Sequence, residues 1–273
     1  MPNVPTTRFT REFGYHTNSS RNESSAVKNS TGLNRIAFQD LIDILHESPT
    51  HPNVPPILGL ADSVRATLKY LRRNRTQADI ADDLGVSQPT ISRAISAVTT
   101  AIAQALEASI PTVEDVPNDT AYLVDGTLLP CWSWETAPEL YSGKHHTTGV
   151  NVQVAASLDG HIAWVSDPLP GNTHDVIALD THGLLEGRDP SQLIGDKGYI
   201  GRGMTTPARK PPKAEISETA KQLNRQINQI RWPIEQAISH LKNWRILHTD
   251  YRRPLSTFPT TITAVLGLYF FTL

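Results

Sequence analysis

The sequence predicts a protein of mixed α/β class in which a small group of helices precedes a sheet-containing part. Apolar residues recur at helical spacing over residues 33–106, whereas after a Pro- and acid-rich linker they form short runs separated by Asp-Gly pairs. Helical spacing returns from about Ala214 to Leu247, where Pro233 predicts an interruption or a restart. We therefore expect a central sheet with late helices behind a helical N-terminal part.

The chain is long enough for two domains, and its single cysteine limits the kinds of site it can form. With 273 residues and only Cys131, an internal disulfide framework and a multi-cysteine zinc site are excluded, as expected in a reducing compartment. The N-terminal segment lacks the apolar run of a signal peptide, and the apolar tail "TITAVLGLYFFTL" is shorter than the roughly 20 residues that span a bilayer. We expect a cytoplasmic, nucleoid-associated protein with no membrane partner.

Charge is segregated along the chain. Residues 107–196 carry fourteen acidic against two basic side chains, whereas residues 197–273 carry twelve basic against four acidic ones. An acidic centre repels a polyanion unless divalent cations bind there, while the basic C-terminal third attracts one. Solvated surface charge can produce part of this pattern, but a metal-loaded enzyme acting on nucleic acid fits all of it.

The first hundred residues divide into a polar tail and a helical domain. Residues 1–32 are rich in Ser, Thr, Asn and Arg and are predicted to be a mobile tail. Two helices follow, separated by "HPNVPPILG", and the second ends in basic residues. The helical domain is expected to extend over residues 33–108.

The segment "TQADIADDLGVSQPTISRAISAVTTAIAQAL" has the pattern of a helix-turn-helix unit. Thr76 can cap a first helix, Gly85 can supply the turn, and Ser87 can cap a second helix. An ordinary helical hairpin has the same spacing, but the basic residues Lys69, Arg72, Arg73 and Arg75 just upstream favour DNA binding through phosphates. The side chains predicted to be exposed for bases or phosphates on the second helix are Gln88, Thr90, Ser92 and Arg93.

Two aspartates in the later part follow short apolar runs and are followed closely by glycine. Asp125 lies in "YLVDGT" and Asp196 in "LIGDKGY", so both are predicted at strand ends, where neighbouring strands would bring them together. Taken alone, Asp125 is equally well explained as a turn residue, since Asp-Gly is a common turn pair. Glu235, on a late helix, is a candidate for a third acid, and three such carboxylates would bind Mg²⁺ or Mn²⁺.

Glu235 has basic neighbours on one stripe of its predicted helix. On a helical wheel, Glu235, Lys242 and Arg245 each fall within about 40° of Arg231. The simplest interpretation is an exposed Arg231–Glu235 pair worth about 0.2–0.5 kcal/mol. The alternative is a catalytic carboxylate flanked by cations that bind DNA phosphates.

From about Leu33 to its end, the sequence resembles transposases of the DDE superfamily, the bacterial insertion-sequence kind related to the eukaryotic harbinger elements. The resemblance implies an RNase H-like catalytic core over residues 119–273, with Asp125, Asp196 and Glu235 as the catalytic, metal-binding triad and the use of two ions in strand cleavage. The matching stretches are "VDGTLLP", "YSGKHHTTGVNVQVAASLDGHI", "LPGNTHD", "IGDKGYIG" and "RWPIEQAISHLKNWRIL".

Related transposases carry a Tyr-(2)-Arg-(3)-Glu-(6)-Lys signature around the last acid. Arg231, Glu235 and Lys242 fit this spacing, but Asn228 occupies the tyrosine position. The resemblance also includes His174 and Asp175, of which Asp175 competes with Asp196 for the second place in the triad. Because "GDKGY" matches that place better, His174 and Asp175 are predicted near the site. Lys144 is either a DNA contact or a strand-edge residue.

The leading functional prediction is a DNA transposase that cleaves transposon ends and transfers the strands to target DNA, acting as a homo-oligomer when bound to DNA. The alternative is a DNA-binding protein or regulator that keeps the helix-turn-helix and has lost catalysis.

Overall fold

The computed structural model describes residues 30–132, 137–212 and 215–273. The predicted tail therefore lies outside the described residues except for its last three, and of these Thr31 is buried and Gly32 packs against Trp244. The described helices are α1 (Arg35–Glu47), α2 (Gly59–Arg73), α3 (Gln77–Leu84), α4 (Gln88–Leu106), α5 (Asp175–Thr181), α6 (Glu218–Leu241) and α7 (Phe258–Phe271). The strands are β1 (Tyr122–Pro130), β2 (Tyr141–Ser142), β3 (Thr147–Ser157), β4 (Ile162–Val165), β5 (Leu169–Pro170) and β6 (Leu193–Ile194).

Helices α3 and α4 form the predicted helix-turn-helix unit. The Thr76 hydroxyl accepts a hydrogen bond from the backbone N–H of Asp79 at 3.1 Å, which caps α3. Gly85 ends α3 in the left-handed region with φ 63°, a conformation that glycine adopts without strain. Ser87 precedes α4, but its hydroxyl is hydrogen-bonded to the Thr90 hydroxyl at 2.9 Å and not to a backbone N–H.

The sheet is built around one long antiparallel pair. Strand β1 pairs with β3 from Tyr122 opposite Ser157 to Pro130 opposite Gly149. The path of the sheet is β2-β3-β1-β6, with β4 and β5 also pairing with β3, and β6 is parallel to β1. The predicted Asp-Gly turn between the two runs of residues 148–167 is present, since Gly160 joins β3 to β4 with φ 88°.

Helix α6 is continuous through Pro233, so the predicted interruption there was wrong. A proline removes one backbone hydrogen bond from a helix, here to the carbonyl of Gln229, an exposed residue at which water can replace the lost donor. Buried Arg231 and Ile234 on either side hold the helix against the rest of the protein. Pro233 itself packs beside Gly160, where an added Cβ would lie 3.2 Å from the proline Cβ.

The C-terminal helix belongs to the core of the N-terminal helices. Helix α7 packs along α4, and Gly267 leaves no room for a side chain because an added Cβ would lie 2.7 Å from the Cβ of Leu106. One cluster of buried apolar residues extends from these helices to β1, β3 and α6. Residues far apart in the sequence thus fix the helix-turn-helix unit to the sheet. None of the described helices has the length and apolar character needed to span a membrane.

Candidate functional site

Asp125 and Asp196 occupy neighbouring positions in the sheet. Strands β1 and β6 are parallel, and Leu123 of β1 is paired with Ile194 of β6. Each aspartate comes two residues after its member of this pair. Asp196 follows the end of β6, as predicted. Asp125, however, lies inside β1 opposite Val154, so the predictions that it ends a strand or forms an Asp-Gly turn were wrong. The pairing between β1 and β3 is unbroken at Asp125 and Gly126, so the backbone of these two residues stays extended and does not turn.

Asp175, at the first position of α5, reaches the same place. Its carboxylate lies over Gly126, where an added Cβ would clash with Asp175 Oδ1. At Gly198 an added Cβ would lie 2.7 Å from Asp196 Oδ1 and 3.2 Å from Asp175 Oδ2. Two glycines therefore provide the space in which the carboxylates approach one another. Asp175 is a third member of this acidic cluster, which we define as Asp125, Asp175 and Asp196.

Two cations hold the acidic cluster together. Arg231 on α6 forms an ion pair with Asp125, with Nη2 and Oδ2 separated by 3.0 Å. Lys144, in the turn between β2 and β3, donates from Nζ to Asp175 Oδ2 at 2.8 Å. Burial raises the pKa of Asp125 to about 6; Arg231 and Lys144 oppose this rise, and the charges of Asp196 and Asp175 add to it. Part of the negative charge of the cluster is thus balanced by protein side chains.

A row of buried polar side chains supports Asp175 and was missed in the sequence. Asn151 donates from Nδ2 to the carbonyl of Thr173 at 3.0 Å and to Asp175 Oδ1 at 3.4 Å. Gln153, fully buried, donates to Asn151 Oδ1 at 3.3 Å and accepts from the Tyr199 hydroxyl at 2.5 Å. Polar residues at alternate positions of the apolar run "NVQV" were the available signal, because buried polar side chains require partners.

Glu235 lies on α6, the helix that also carries Arg231, and is exposed to solvent. It follows Arg231 by one helical turn, about 40° around the axis of α6. Arg231 is only 8% exposed and forms its ion pair with Asp125, so the simple surface Arg231–Glu235 pair is not the arrangement observed. Among the described residues, no group of three or more His, Cys, Asp or Glu side chains is arranged to hold a metal ion.

Of the other basic residues of the predicted stripe, Lys242 is half-buried and Arg245 is exposed. Lys242 donates from Nζ to the carbonyl of Leu128 on β1 at 2.9 Å, and burial lowers its pKa. The prediction that Arg231 and Lys242 present their charges to DNA is therefore not met in this structure, because both are directed into the protein and bind β1. Arg245 is exposed, as is Asn228 at the position of the signature tyrosine.

A cavity of about 340 Å³ opens beside the acidic cluster. Lys144 and Asp175 line it together with His145 and His174. His174 is exposed and directly precedes α5, and burial lowers the pKa of His145, with the charges of Lys144 and Lys242 acting in the same direction. Asp175 thus lies over Gly126, next to Asp125 in the chain, and His174 lines the same cavity.

The side chains predicted for DNA on α4 differ in their exposure. Gln88 and Arg93 are exposed and Ser92 is half-buried. Thr90 is only 7% exposed, so its predicted exposure was wrong, and its hydroxyl is hydrogen-bonded to the Ser87 hydroxyl. Gln88 donates to Gln77 Oε1 on α3 at 2.6 Å.

Several of the basic residues before α3 are engaged within the protein. Arg75 forms an ion pair with Asp83, which Lys69 also contacts at 3.2 Å. Arg72 stacks on the ring of Trp244, with its guanidinium carbon 5.5 Å from the ring centroid. Arg73 is exposed at the end of α2. Sequence spacing alone does not distinguish such intramolecular pairs from free phosphate contacts.

Comparisons with known proteins agree with this architecture. Residues 58–108 match the family described as helix-turn-helix of DDE superfamily endonuclease, and residues 124–269 match the family described as DDE superfamily endonuclease. The chain is 23% identical over 257 residues to the probable transposase for insertion sequence element IS702 of Microchaete diplosiphon, an alignment that covers 89% of this chain and 92% of that protein. No solved structure matches the chain.

The second family match begins one residue before Asp125 and includes all of the acidic cluster and α6. It covers more than half of the chain, and the first match covers the helix-turn-helix unit that packs against it. An α/β core carrying paired aspartates behind an N-terminal helix-turn-helix unit is the arrangement that the sequence predicted. The chain belongs to the DDE superfamily of endonucleases.

Proposed function

We propose that the protein is a DNA transposase that cleaves the ends of its element and joins them to target DNA. The observation that carries the proposal is the register of β1 and β6, which places Asp125 and Asp196 next to each other in a half-buried site. Adjacent carboxylates in such a site repel unless cations share them. The two protein cations at the cluster balance only part of this charge.

The donor set fits hard divalent cations. Asp125, Asp196 and Glu235 would hold Mg²⁺ or Mn²⁺, as two ions, because carboxylate oxygens are the ligands these ions prefer. When bound, such ions lower the barrier to phosphodiester cleavage by charge stabilisation at the attacking and leaving oxygens. Glu235 is exposed on α6 one turn from Arg231, and among the described residues the three acids do not form a ligand group, so the approach of DNA would have to complete the set.

The proposed reaction has two phosphoryl transfers. Water first attacks the phosphorus at the transposon end, and the bond to the 3′ oxygen breaks to leave a 3′-hydroxyl and a 5′-phosphate. The freed 3′-hydroxyl then attacks a target phosphodiester, forming the new bond and releasing a target 3′-hydroxyl. Arg231 keeps Asp125 ionised and in place during both steps, since the guanidinium lowers the pKa that burial raises.

Joining two ends calls for at least two protomers, so we also propose that the protein forms a homo-oligomer on DNA in association with the nucleoid. The helix-turn-helix unit would bind the element's end through the exposed side chains Gln88 and Arg93 and the half-buried Ser92 on α4, with Arg73 beside it. Lys144 and Arg245 remain candidates for phosphate contacts near the acids, Lys144 only after it leaves Asp175.

Cleavage of a labelled duplex that carries the element's end tests this proposal. Glu235→Gln keeps the size of the side chain and removes its charge, so Mg²⁺-dependent nicking should fall by orders of magnitude. DNA binding in Ca²⁺, measured by gel shift, should be unchanged. Glu218→Gln on the same helix is the matched control, because Glu218 is exposed and forms a surface ion pair with Lys221 three residues away.

Three outcomes are informative. Equal nicking by Glu235→Gln and the parent would remove Glu235 from the triad, and a parallel loss in Asp175→Asn would assign the third position to Asp175. Binding of the end by a parent protein that never nicks, with any divalent ion, would support the alternative of a regulator derived from a transposase.

A further inference from the structure

Two consecutive arginines outside the helix-turn-helix unit lie directly beside it. Arg253 donates from Nη2 to the Ser96 hydroxyl on α4. Arg252 donates from Nη2 to the backbone carbonyl of Asn74 at 2.8 Å and to its side-chain oxygen at 3.0 Å. Asn74 follows the end of α2 in the left-handed region, with φ 48°. A pair of residues close to the C-terminal helix thus contacts both the entry to the helix-turn-helix unit and its second helix.

The backbone that carries these arginines is firmly anchored. Tyr251 is 1% exposed, and its ring stacks on Phe258 with ring centroids 4.3 Å apart. Its backbone N–H donates to the carbonyl of Pro130 at the end of β1 at 3.1 Å. Because the chain is fixed immediately before the arginine pair, a ligand that binds there orders only the side chains.

An open groove runs along the exposed side of α4 next to Arg253. It has a volume of about 590 Å³, and Arg93, Ser96, Thr100 and Gln104 of α4 line one wall while Asn53 lies on the other. Among the described residues that line the groove, none is acidic, and the sequence of α4 contains no Asp or Glu. Its surface combines hydroxyl and amide groups with positive charge, which are the groups that bind DNA phosphates and base edges.

The hydrogen-bond partners of Arg252 and Arg253 are neutral oxygens, so these bonds leave the positive charge of both residues uncompensated. In contrast, the guanidinium of Arg75 is paired with the carboxylate of Asp83, and Arg72 is stacked on Trp244. Arg72 and Arg75, which the sequence singles out before α3, are therefore less available to an anion than this later pair.

We propose that Arg252 and Arg253 bind phosphates of duplex DNA alongside α4, so that the DNA-binding surface is composite and includes residues from the C-terminal part of the chain. The inference rests on the proposed binding of DNA by the helix-turn-helix unit and names a further part of that surface. Phosphate contacts fix the position of a protein on the duplex without reading its sequence. The pair should therefore contribute affinity for any duplex.

The test measures the affinity of the full-length protein for a duplex carrying the element's end, and for an unrelated duplex, between about 50 and 200 mM salt. A plot of the logarithm of the DNA-binding constant against the logarithm of salt concentration has a negative slope. In the double variant Arg252→Gln, Arg253→Gln this slope should be shallower by about 2, since each lost phosphate contact removes about 0.9. Affinity should fall by a similar factor on both duplexes. Arg252→Lys, Arg253→Lys should retain most of the slope, because lysine also binds phosphate as a point charge.

The matched control removes the same charge elsewhere in the basic C-terminal third, at Arg209 and Lys210 by the double change to Gln. If this control lowers the slope as much, net charge explains the effect and the proposed contact is wrong. If the parent and the Arg252/Arg253 double Gln variant share one slope, and the variant is folded by circular dichroism, the inference fails while the helix-turn-helix proposal stands. A parent that binds neither duplex at any salt overturns both.

Discussion

Arg231 and Asp125, 106 residues apart in the sequence, form an ion pair with 3.0 Å between Nη2 and Oδ2, and both side chains are at most about one-fifth exposed. This pair connects helix α6, which carries Glu235, to strand β1 at the centre of the sheet. It therefore ties the helix of the proposed third acid to the strand of the first. Its strength should depend on the ionisation of Asp125.

Replacing Arg231 by Met should destabilise the protein more at pH 8 than at pH 5. Folded Asp125 has a pKa of about 6, above the value near 3.9 of an unfolded Asp, so its favourable contribution is complete below about pH 4 and is lost as pH rises through 6. Without the guanidinium, that pKa rises further and the cost of ionising Asp125 at pH 8 grows. We expect a loss of about 1–3 kcal/mol at pH 8, up to the range for breaking a buried pair.

The measurement is urea unfolding of the parent and Arg231→Met at both pH values, with EDTA present. Arg225→Met, an exposed arginine on the same helix, controls for loss of charge and should change stability little at either pH. A loss that is the same at pH 5 and pH 8 would show that Arg231 acts by packing and not through the ionised carboxylate.

Cys131 should be unreactive in the folded protein. Burial, together with the nearby charge of Asp250, raises the pKa of its thiol to about 11. At pH 8 only about one thiol in a thousand is then the reactive thiolate. Reaction with a chromogenic disulfide reagent should be slow in buffer and fast in 6 M guanidinium chloride, and fast reaction without denaturant would contradict the buried position of Cys131 at the end of β1.

The sequence predicted the order of the elements well because turns and caps are local. Thr76 and Gly85 fix the helix-turn-helix unit through bonds within a few residues, and the Asp159-Gly160 pair forms the predicted turn. The location of Asp125 inside β1 was not predictable in this way. Whether an Asp-Gly pair forms a turn or continues a strand depends on its partner strand, here residues 153 and 154 of β3.

The site was predicted in part for the same reason. Asp125 and Asp196 were identifiable from their apolar runs. The approach of Asp175, in contrast, depends on the packing of its carboxylate against Gly126 and Gly198, which are distant from it in sequence. The inward direction of Arg231 also depends on tertiary packing, since a helical wheel gives relative angles and does not say which side faces the sheet. Long-range pairing, which no local pattern encodes, decided these points.

Replacing Gly267 by Ala should destabilise the protein, although alanine is the better helix former by about 1 kcal/mol. The added Cβ would lie 2.7 Å from the Cβ of Leu106, so α7 and α4 would have to move apart. We expect a net loss of about 1–3 kcal/mol, typical of overpacking in a core. Thr260→Ala on the same helix is the control and should be neutral or slightly stabilising. An increased melting temperature for Gly267→Ala would show that the two helices are not in close contact.

Lys144 should compete with divalent cations for the acidic cluster, because its ammonium group already occupies one oxygen of Asp175, 2.8 Å away. Lys144→Met removes this cation and should strengthen binding of Mn²⁺, whereas Asp175→Asn removes a negative charge and should weaken it. Each change should be about three- to tenfold, or up to about 1.4 kcal/mol. Mn²⁺ binding to the purified protein without DNA, followed by electron paramagnetic resonance, measures this directly.

Lys221→Met, which removes a lysine that pairs with Glu218 on the surface of α6, controls for overall charge. If Lys144→Met and Lys221→Met bind Mn²⁺ with the same affinity as the parent, Lys144 is a strand-edge residue without influence on the cluster.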